Sequence, residues 1–405
     1  MKSKLKDIII YCITIAFSIA FIVIGNRFCD TSKYRAKVQK IETHTAKITK
    51  ITDVTLDEYS IGEGVTNVDK TIHFNAILKS GKNKGQTISA IQTIDGMMAT
   101  NPKDVEEGDN IILSYLSLNN NESMEWVFED YHRSNALIWL CIAFFVLVLL
   151  FGKIKGVNTI ISLAFTCLSI FAVFIPAILT GYNIYTLANI ICIFIIIMTL
   201  LIVNGANKKS LVAGIGCVGG VAVTGLLTLF MSKIMLLTGA VDQEAMFLLL
   251  LNEENPIDLR AIIYAAILIG ALGATMDVSM SIASALFELN EKVQDRSFHS
   301  LVKSGFAIGR DIMGTMANTL ILAYIGSSLA IVLLLTANTG SLLSLFNREM
   351  IVVEILQSLV GSLGILFTIP ITSILAGYIY HKKVIKKDEI DCQKENPPHC
   401  EGDIM

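Results

Sequence analysis

Residues 183–203 read NIYTLANIICIFIIIMTLLIV, a stretch without any acidic or basic side chain. A helix needs about 20 consecutive apolar residues to cross the hydrocarbon core of a bilayer. Seven further stretches are similarly apolar, and they lie near residues 1–26, 136–152, 158–179, 210–232, 258–284, 305–335 and 350–379. The sequence therefore predicts a mainly α-helical membrane bundle of about eight transmembrane helices.

The composition supports a membrane protein. Hydrophobic residues make up 53% of the 405 residues and charged residues only 17%, less than a soluble domain carries. The net charge of −3, with no basic cluster among aromatic residues, argues against nucleic acid as a partner. Most of the eight cysteines lie inside apolar runs, so we expect no disulfide framework.

The N-terminus combines three lysines with an apolar stretch from Ile8 to Gly25. A signal peptide has this composition, but no Ala-x-Ala cleavage site follows. We therefore interpret residues 1–26 as an uncleaved transmembrane anchor.

Residues 27–133 differ from the rest of the chain, since short stretches of alternating polar and apolar residues are separated by turn signals. This pattern predicts a β-rich, barrel-like domain of the OB type between the first two spans. Glu106, Glu107 and Asp109 in one turn could form an acidic metal site, although a solvated turn is the simpler interpretation.

The basic residues predict the orientation, because lysine and arginine favour the cytoplasmic side. With eight spans, the short loops of the other side hold only Arg348 and, at an edge, Arg260. The basic residues of the predicted cytoplasmic side are Lys2, Lys4, Lys6, Lys153, Lys155, Lys208, Lys209, Lys292, Arg296, Lys303, Lys382, Lys383, Lys386 and Lys387. Both termini are thus predicted to be cytoplasmic, with 27–133 extracytoplasmic, 134–380 as a seven-helix membrane domain and 381–405 as a disordered cytoplasmic tail.

Charged groups inside the predicted spans are candidates for function, because a charge in a bilayer is expensive. They cluster on two neighbouring spans with polar residues at helical spacing, as Asp277, Ser281, Arg310, Asp311, Thr315 and Asn318. Estimated depths place Asp277, Arg310 and Asp311 in the inner part of the membrane. We expect an Asp277–Arg310 ion pair, with Asp311 free to take a proton or cation.

Glu354 and Gln357 form a second polar set toward the predicted outer mouth. Further along the same span, Pro370 lacks an amide donor and frees a carbonyl near Leu366. Both sets could instead be structural, as an ion-pair knot or as interfacial charges that snorkel.

Helix geometry leaves further alternatives. The last two spans are near 30 residues long, so they are either tilted or broken. Gly216 and Gly220 lie four residues apart inside an apolar run, which predicts close helix packing and not a phosphate loop.

Enzymatic function is not favoured. All six histidines lie outside the apolar runs, and we find no nucleotide-binding motif. A carboxylate pair of Asp277 and Asp311 would suit an aspartyl protease, but the Gly-x-Gly-Asp context is missing. We therefore predict no catalytic residues, no metal and no cofactor.

Two stretches carry a resemblance to a known family. GATMDVSMSI at residues 273–282 and GRDIMGTMANTL at residues 309–320 are similar to the signature stretches of YibE/F-like membrane proteins. FEDYHR at 128–133 and GKIKG at 152–156 also resemble that family, and the likeness covers most of residues 110–380. The resemblance implies a bacterial cytoplasmic-membrane protein of this architecture and implies no reaction.

Two functions remain open. The first is a secondary transporter or channel for a small ion or polar solute, with the intramembrane cluster as its centre. The second is a non-transporting assembly or sensing component whose outer β-domain binds a partner. The lipid bilayer is the expected environment, and a homo-oligomer or a partner subunit is compatible with either function.

Overall fold

The computed structural model describes residues 2–29, 42–60, 66–96, 103–117, 124–250, 256–292, 297–338 and 341–395. The chain divides into two compact units. One comprises Met1–Ser32 together with Phe151–Met405, and the other comprises Lys33–Leu150.

Five strands of the second unit form a small closed barrel, as the alternating pattern predicted. They are β1 (Thr43–Ser60), β2 (Thr66–Leu78), β3 (Thr87–Ile94), β4 (Asn110–Ser117) and β5 (Met124–Tyr131). Their order is β1-β2-β3-β5-β4, with β1 paired to β4. Only the β3–β5 pair is parallel among these strands.

Alternate residues of the strands fill the barrel interior, among them Phe74, Ile111 and Leu113, which are fully buried. The buried Gln92 side chain joins the barrel to the segment before β4: its amide donates to the Lys103 carbonyl and its oxygen accepts from the Val105 amide. A buried polar group with both partners fixes the segment without an unpaired donor.

The acidic turn before β4 is held by its own carboxylates. Asp109 accepts from the Glu106 amide at 2.9 Å, and Glu107 accepts from the Ile51 amide at 3.3 Å. Glu106 pairs with Lys103 at 3.2 Å. The three acids thus bond to different groups, which agrees with the interpretation as a turn.

The helical part begins with α1 (Lys2–Phe28). It continues with α2 (Ser134–Leu168), a π-helical segment (Ser169–Phe174), α3 (Ile175–Leu179), α4 (Ile184–Asn204), α5 (Lys208–Ile234), α6 (Gln243–Leu250), α7 (Leu259–Lys292), α8 (Phe298–Ser327), α9 (Leu329–Asn338), α10 (Leu342–Phe346) and α11 (Glu349–Glu395). Five of these helices start at a capping side chain that accepts from the amide three residues on, and the capping residues are Asn183, Asn207, Asp242, Asp258 and Ser297. The backbone of α11 is helical to Glu395, past the predicted end of the membrane domain at residue 380.

In the described part of the chain, six helices are long and apolar enough to cross a membrane, or seven if α8 and α9 count as one span. The predicted spans 136–152 and 158–179 fall within one run of 46 residues, Ser134–Leu179. This run is interrupted at Lys153, whose φ of 49° is not helical.

The span predicted at 305–335 is broken. The axes of α8 and α9 differ by 59° at the break between Ser327 and Leu329. Of the two alternatives for this long span, the structure thus shows the broken helix. The last predicted span, by contrast, is a continuous helix that contains Pro370.

Helices α5, α7 and α11 meet along a seam of small and hydroxyl residues. A Cβ added to Gly220 would overlap the Thr368 hydroxyl, and one added to Gly216 would overlap that of Thr372. The Gly216–Gly220 face therefore permits close approach of α11, which confirms the predicted packing role. Fully buried hydroxyls line this seam, and we call Thr224, Thr228, Thr275, Ser279, Thr368, Thr372 and Ser373 the hydroxyl seam.

The hydroxyls of the seam have partners. Thr224 donates to the Gly220 carbonyl and Thr368 to the Gly364 carbonyl, each one turn back on its own helix. Ser279 instead crosses to α5 and donates to the Ala213 carbonyl at 2.5 Å. Because each oxygen is satisfied, the seam can lie inside an apolar bundle without an unpaired donor.

Candidate functional site

The level of each polar residue along the bundle follows from one close approach. A Cβ on Gly361 of α11 would lie 2.8 Å from Leu320 of α8 and 3.7 Å from Ala271 of α7. These three positions therefore mark a common level of three helices. At a rise of about 1.5 Å per residue, Glu354 lies about 10 Å to one side of it and Asn318 about 3 Å to the other.

The remaining residues follow on the Asn318 side. By the same rise of about 1.5 Å per residue, Asp277 lies about 9 Å from the common level, and Asp311 and Ser281 lie about 14 to 15 Å from it. The polar positions from Glu354 to Ser281 thus extend over about 25 Å, most of a hydrocarbon core of about 30 Å. Along the bundle, Asn318 lies between Glu354 and Asp277.

Six of the predicted site residues lie on α7 and α8, and all six are exposed on the single chain. Arg310 is described separately below, and the other five form one group. We call Asp277, Ser281, Asp311, Thr315 and Asn318 the polar face. Two glycines lie on it, Gly273 and Gly314, and a Cβ at either would meet nothing within 4 Å. No other helix of the described chain therefore packs against these glycines.

The expected Asp277–Arg310 ion pair is not among the ion pairs of the described residues. At a rise of about 1.5 Å per residue, Arg310 lies about 6 Å further along the bundle than Asp277. The estimate of depth from sequence alone had placed them in one layer.

Arg310 lies beside α11 instead. It lines a cavity of about 340 Å³ together with Leu366 and Pro370. From the sequence, Pro370 was grouped with the polar set of Glu354 and Gln357. In the structure it lines the same cavity as Arg310. Leu366, whose carbonyl Pro370 leaves without a helical donor, thus lines the same cavity as a cationic side chain.

Glu354 on α11 is half-buried, and its Oε2 atom is buried without a hydrogen-bond partner. The Tyr324 hydroxyl lies within electrostatic range of this carboxylate. Gln357, one turn on, is also half-buried. A buried carboxylate oxygen with no donor is costly, so this position needs a proton, a cation or water.

Sequence reasoning missed a second glutamate on α11. Glu349 accepts hydrogen bonds from the Thr238 amide at 2.7 Å, the Gly239 amide at 2.6 Å and the Thr238 hydroxyl at 2.7 Å. It therefore ties the start of α11 to the loop after α5. No sequence signal marks it, because its partners, two backbone amides and one hydroxyl, lie over a hundred residues away.

Outside the spans, the end of the barrel carries a perturbed acid. The Tyr131 amide, at 2.7 Å, and the Arg133 guanidinium, at 2.8 Å, lower the pKa of Asp130 below its usual value. Both partners stabilise the charged carboxylate in an exposed position, and neither creates a reactive group.

No group of three or more His, Cys, Asp or Glu side chains suited to a metal ion occurs among the described residues. At a rise of about 1.5 Å per residue, Glu354 lies about 20 Å along the bundle from Asp277, so these two carboxylates cannot share one ligand. Such an arrangement can hold and pass on a proton or a weakly bound cation.

Several long apolar helices and a closed five-stranded barrel define a multi-helix membrane protein with a small β-barrel domain. The particular family follows from sequence comparison: the model of the YibE/F-like protein family matches residues 140–382, so the chain belongs to this family. No curated protein and no solved structure matches the chain.

Proposed function

We propose that this protein is a bacterial cell-membrane protein with eight spans, cytoplasmic termini and an extracytoplasmic barrel. The run Ser134–Leu179 supports the count, because its 46 residues would extend roughly 69 Å as one helix, about twice a bilayer core. The break at Lys153 divides it into two parts of spanning length. The asymmetry of lysine and arginine supports the orientation.

We infer that the protein is a secondary transporter or channel for a small ion or polar solute. The polar face carries this inference. Asp277 and Asp311 are exposed on the single chain without an ion-pair partner among the described residues, at levels inside the predicted membrane. Such side chains do not face lipid, since each would cost several kcal/mol there. The polar face therefore lines an aqueous path.

Glu354 extends this path toward the outer side. Its unpartnered Oε2 lies about 20 Å from the level of Asp277 at a rise of about 1.5 Å per residue. Asn318 and Thr315 lie between these two carboxylates and offer an amide and a hydroxyl. A chain of carboxylate, amide and hydroxyl groups suits a proton or a small cation that exchanges water for protein oxygens.

Flux through sealed vesicles tests the proposal. The purified full chain would be reconstituted, and H⁺, Na⁺ and K⁺ flux measured with entrapped indicator dyes. We expect Asp277→Asn and Asp311→Asn each to abolish a flux that the parent shows, with unchanged thermal unfolding. Glu288→Gln is the matched control, because Glu288 lies on α7 but pairs with Lys209 at 3.9 Å outside the polar face. Full flux in both aspartate variants would refute the proposal.

A second function has a specific observation in its favour. Strands β1 and β2 continue as a hairpin after the ladder between β1 and β4 ends at Lys47, and we call residues 54–60 and 66–72 of this hairpin the arm. On this arm Val54, Leu56 and Val68 are exposed by 46%, 60% and 39%. An apolar arm is a surface on which another protein could add contacts, which favours an assembly or sensing component.

The two functions are separable by experiment. Val54→Lys combined with Leu56→Lys leaves the barrel core intact and removes two of these three exposed apolar side chains. A partner-binding role predicts loss of crosslinks from the arm in cell membranes, with flux in vesicles unaffected. If the double variant keeps every crosslink of the parent, the assembly role of the arm is excluded.

A further inference from the structure

A groove on the surface of the helical unit lies apart from the polar face. It has a volume of about 690 Å³ and runs between α4 and α5. Its walls are aliphatic, including Leu200 and Leu201 from α4 with Ile215 and Val218 from α5. Gly214 lies between these side chains and keeps the groove deep.

One end of the groove is polar and cationic. Asn207, Lys208 and Ser210 line it where α5 begins. Asn207 and Ser210 are satisfied within this turn, because Asn207 accepts from the Ser210 amide and the Ser210 hydroxyl donates to the Gly205 carbonyl. Lys208 is exposed and takes part in none of the ion pairs of the described residues. It is therefore the charged group available to a ligand.

The neighbouring lysine differs. The Lys209 ammonium lies 3.9 Å from a Glu288 carboxylate oxygen and 4.7 Å above the Phe287 ring. Both contacts hold it against α7. Two adjacent residues of equal charge thus have different roles, one bound within the protein and one at the mouth of an apolar groove.

The length of the groove matches one leaflet. From Lys208 to Val218 it follows α5 for about 15 Å at a rise of about 1.5 Å per residue. Half of a hydrocarbon core of about 30 Å has the same depth. An acyl chain fits the aliphatic walls, and the phosphate of its headgroup would then lie at Lys208 and the positive end of the α5 dipole.

We propose that this groove binds an anionic phospholipid, with the acyl chain between α4 and α5 and the headgroup phosphate at Lys208. The inference requires the helical unit to lie in a membrane. It does not depend on transport, because none of the groove residues belongs to the polar face.

Thermal unfolding of the purified full chain in detergent tests the site. The probes are phosphatidylglycerol, phosphatidylcholine with the same acyl chains, and inorganic phosphate. A ligand of the folded state raises the unfolding temperature with concentration. We expect phosphatidylglycerol to stabilise the parent and Lys208→Arg alike, with an apparent affinity about fivefold lower in Lys208→Ala.

Two variants complete the experiment. Lys209→Ala removes an equal positive charge from the adjacent residue and should keep the parental affinity for phosphatidylglycerol. Gly214→Phe fills the groove and should weaken binding although Lys208 is retained. If Lys208→Ala binds phosphatidylglycerol as tightly as Lys209→Ala does, the proposal is overturned. Stabilisation by inorganic phosphate alone would also overturn it, because that result would show an anion site without an acyl chain. Equal stabilisation by phosphatidylcholine would also overturn it.

Discussion

Helix α7 contributes to two polar surfaces that differ in nearly every physical respect. Thr275 and Ser279 belong to the hydroxyl seam, where they are fully buried and hydrogen-bonded. Asp277 and Ser281, each two residues away, lie on the polar face and are exposed. The seam consists of neutral groups that satisfy one another, whereas the polar face carries charge with no partner among the described residues.

The difference separates structure from function. Neutral hydroxyls that bond to their own helix cost little inside a bundle and allow close packing. Unpaired carboxylates would cost far more at the membrane depth that we propose for Asp277 and Asp311. We therefore attribute folding of the bundle to the seam and the proposed transport to the polar face.

The largest effect on stability is expected in the seam. Gly220→Ala would place a Cβ 3.1 Å from Thr368 Cβ and 3.2 Å from the Gly364 carbonyl oxygen, besides its overlap with the Thr368 hydroxyl. We expect a loss of about 2 kcal/mol in the free energy of unfolding, since overpacking forces the helices apart. Unfolding in detergent by heat or denaturant measures it.

Gly273→Ala is the control for this prediction. A Cβ at Gly273 meets nothing within 4 Å, so alanine should keep or slightly raise stability through its better helix propensity. Equal destabilisation by both substitutions would mean that Gly273 is also packed, and the polar face would then not be open.

Two glutamates near the N-terminus of α11 repeat the contrast between a hydrogen-bonded and an unpaired polar group. Glu349 accepts three hydrogen bonds, so Glu349→Gln should lower the free energy of unfolding by about 1 to 2 kcal/mol. Glu354 has an oxygen without a partner, so Glu354→Gln should cause no loss. Paired unfolding curves compare them, and a greater loss for Glu354→Gln would show an unseen partner.

A smaller effect is expected for the serines of α7. Ser279→Ala removes the hydrogen bond to the Ala213 carbonyl and should lower the free energy of unfolding by about 0.6 to 1 kcal/mol. Ser281→Ala, two residues on, should change stability by less than about 0.5 kcal/mol, as exposed positions usually do. Similar losses for the two would remove the distinction between seam and face.

Much of this architecture is predictable from the sequence. Long apolar runs predicted the spanning helices, alternation in 27–133 predicted the barrel, and Gly216 with Gly220 predicted close packing. These features depend on local periodicity and residue size, which can be read directly from the amino-acid sequence.

The contacts between distant segments could not be predicted from the sequence. Depth alone placed Arg310 with Asp277, because the sequence does not encode how far α8 slides along α7. The break after Ser327 and the Glu349 contacts with Thr238 and Gly239 likewise depend on tertiary packing. Which face of α7 is covered was also unknown, although helical spacing had already grouped Asp277 with Ser281.

Access of water to the polar face is the most direct test of this account. Single cysteines would replace Thr315, Ser281, Thr372 or Leu226 in a chain without its natural cysteines, and membrane vesicles would be treated with a polar, membrane-impermeant maleimide from each side. Thr372 represents the buried seam, and Leu226, 67% exposed, represents the lipid-facing surface. We expect labelling at positions 315 and 281 and none at positions 372 and 226. If cysteines at positions 315 and 281 are as unreactive as the cysteine at position 226, the polar face is not open to water and the proposed aqueous path is contradicted.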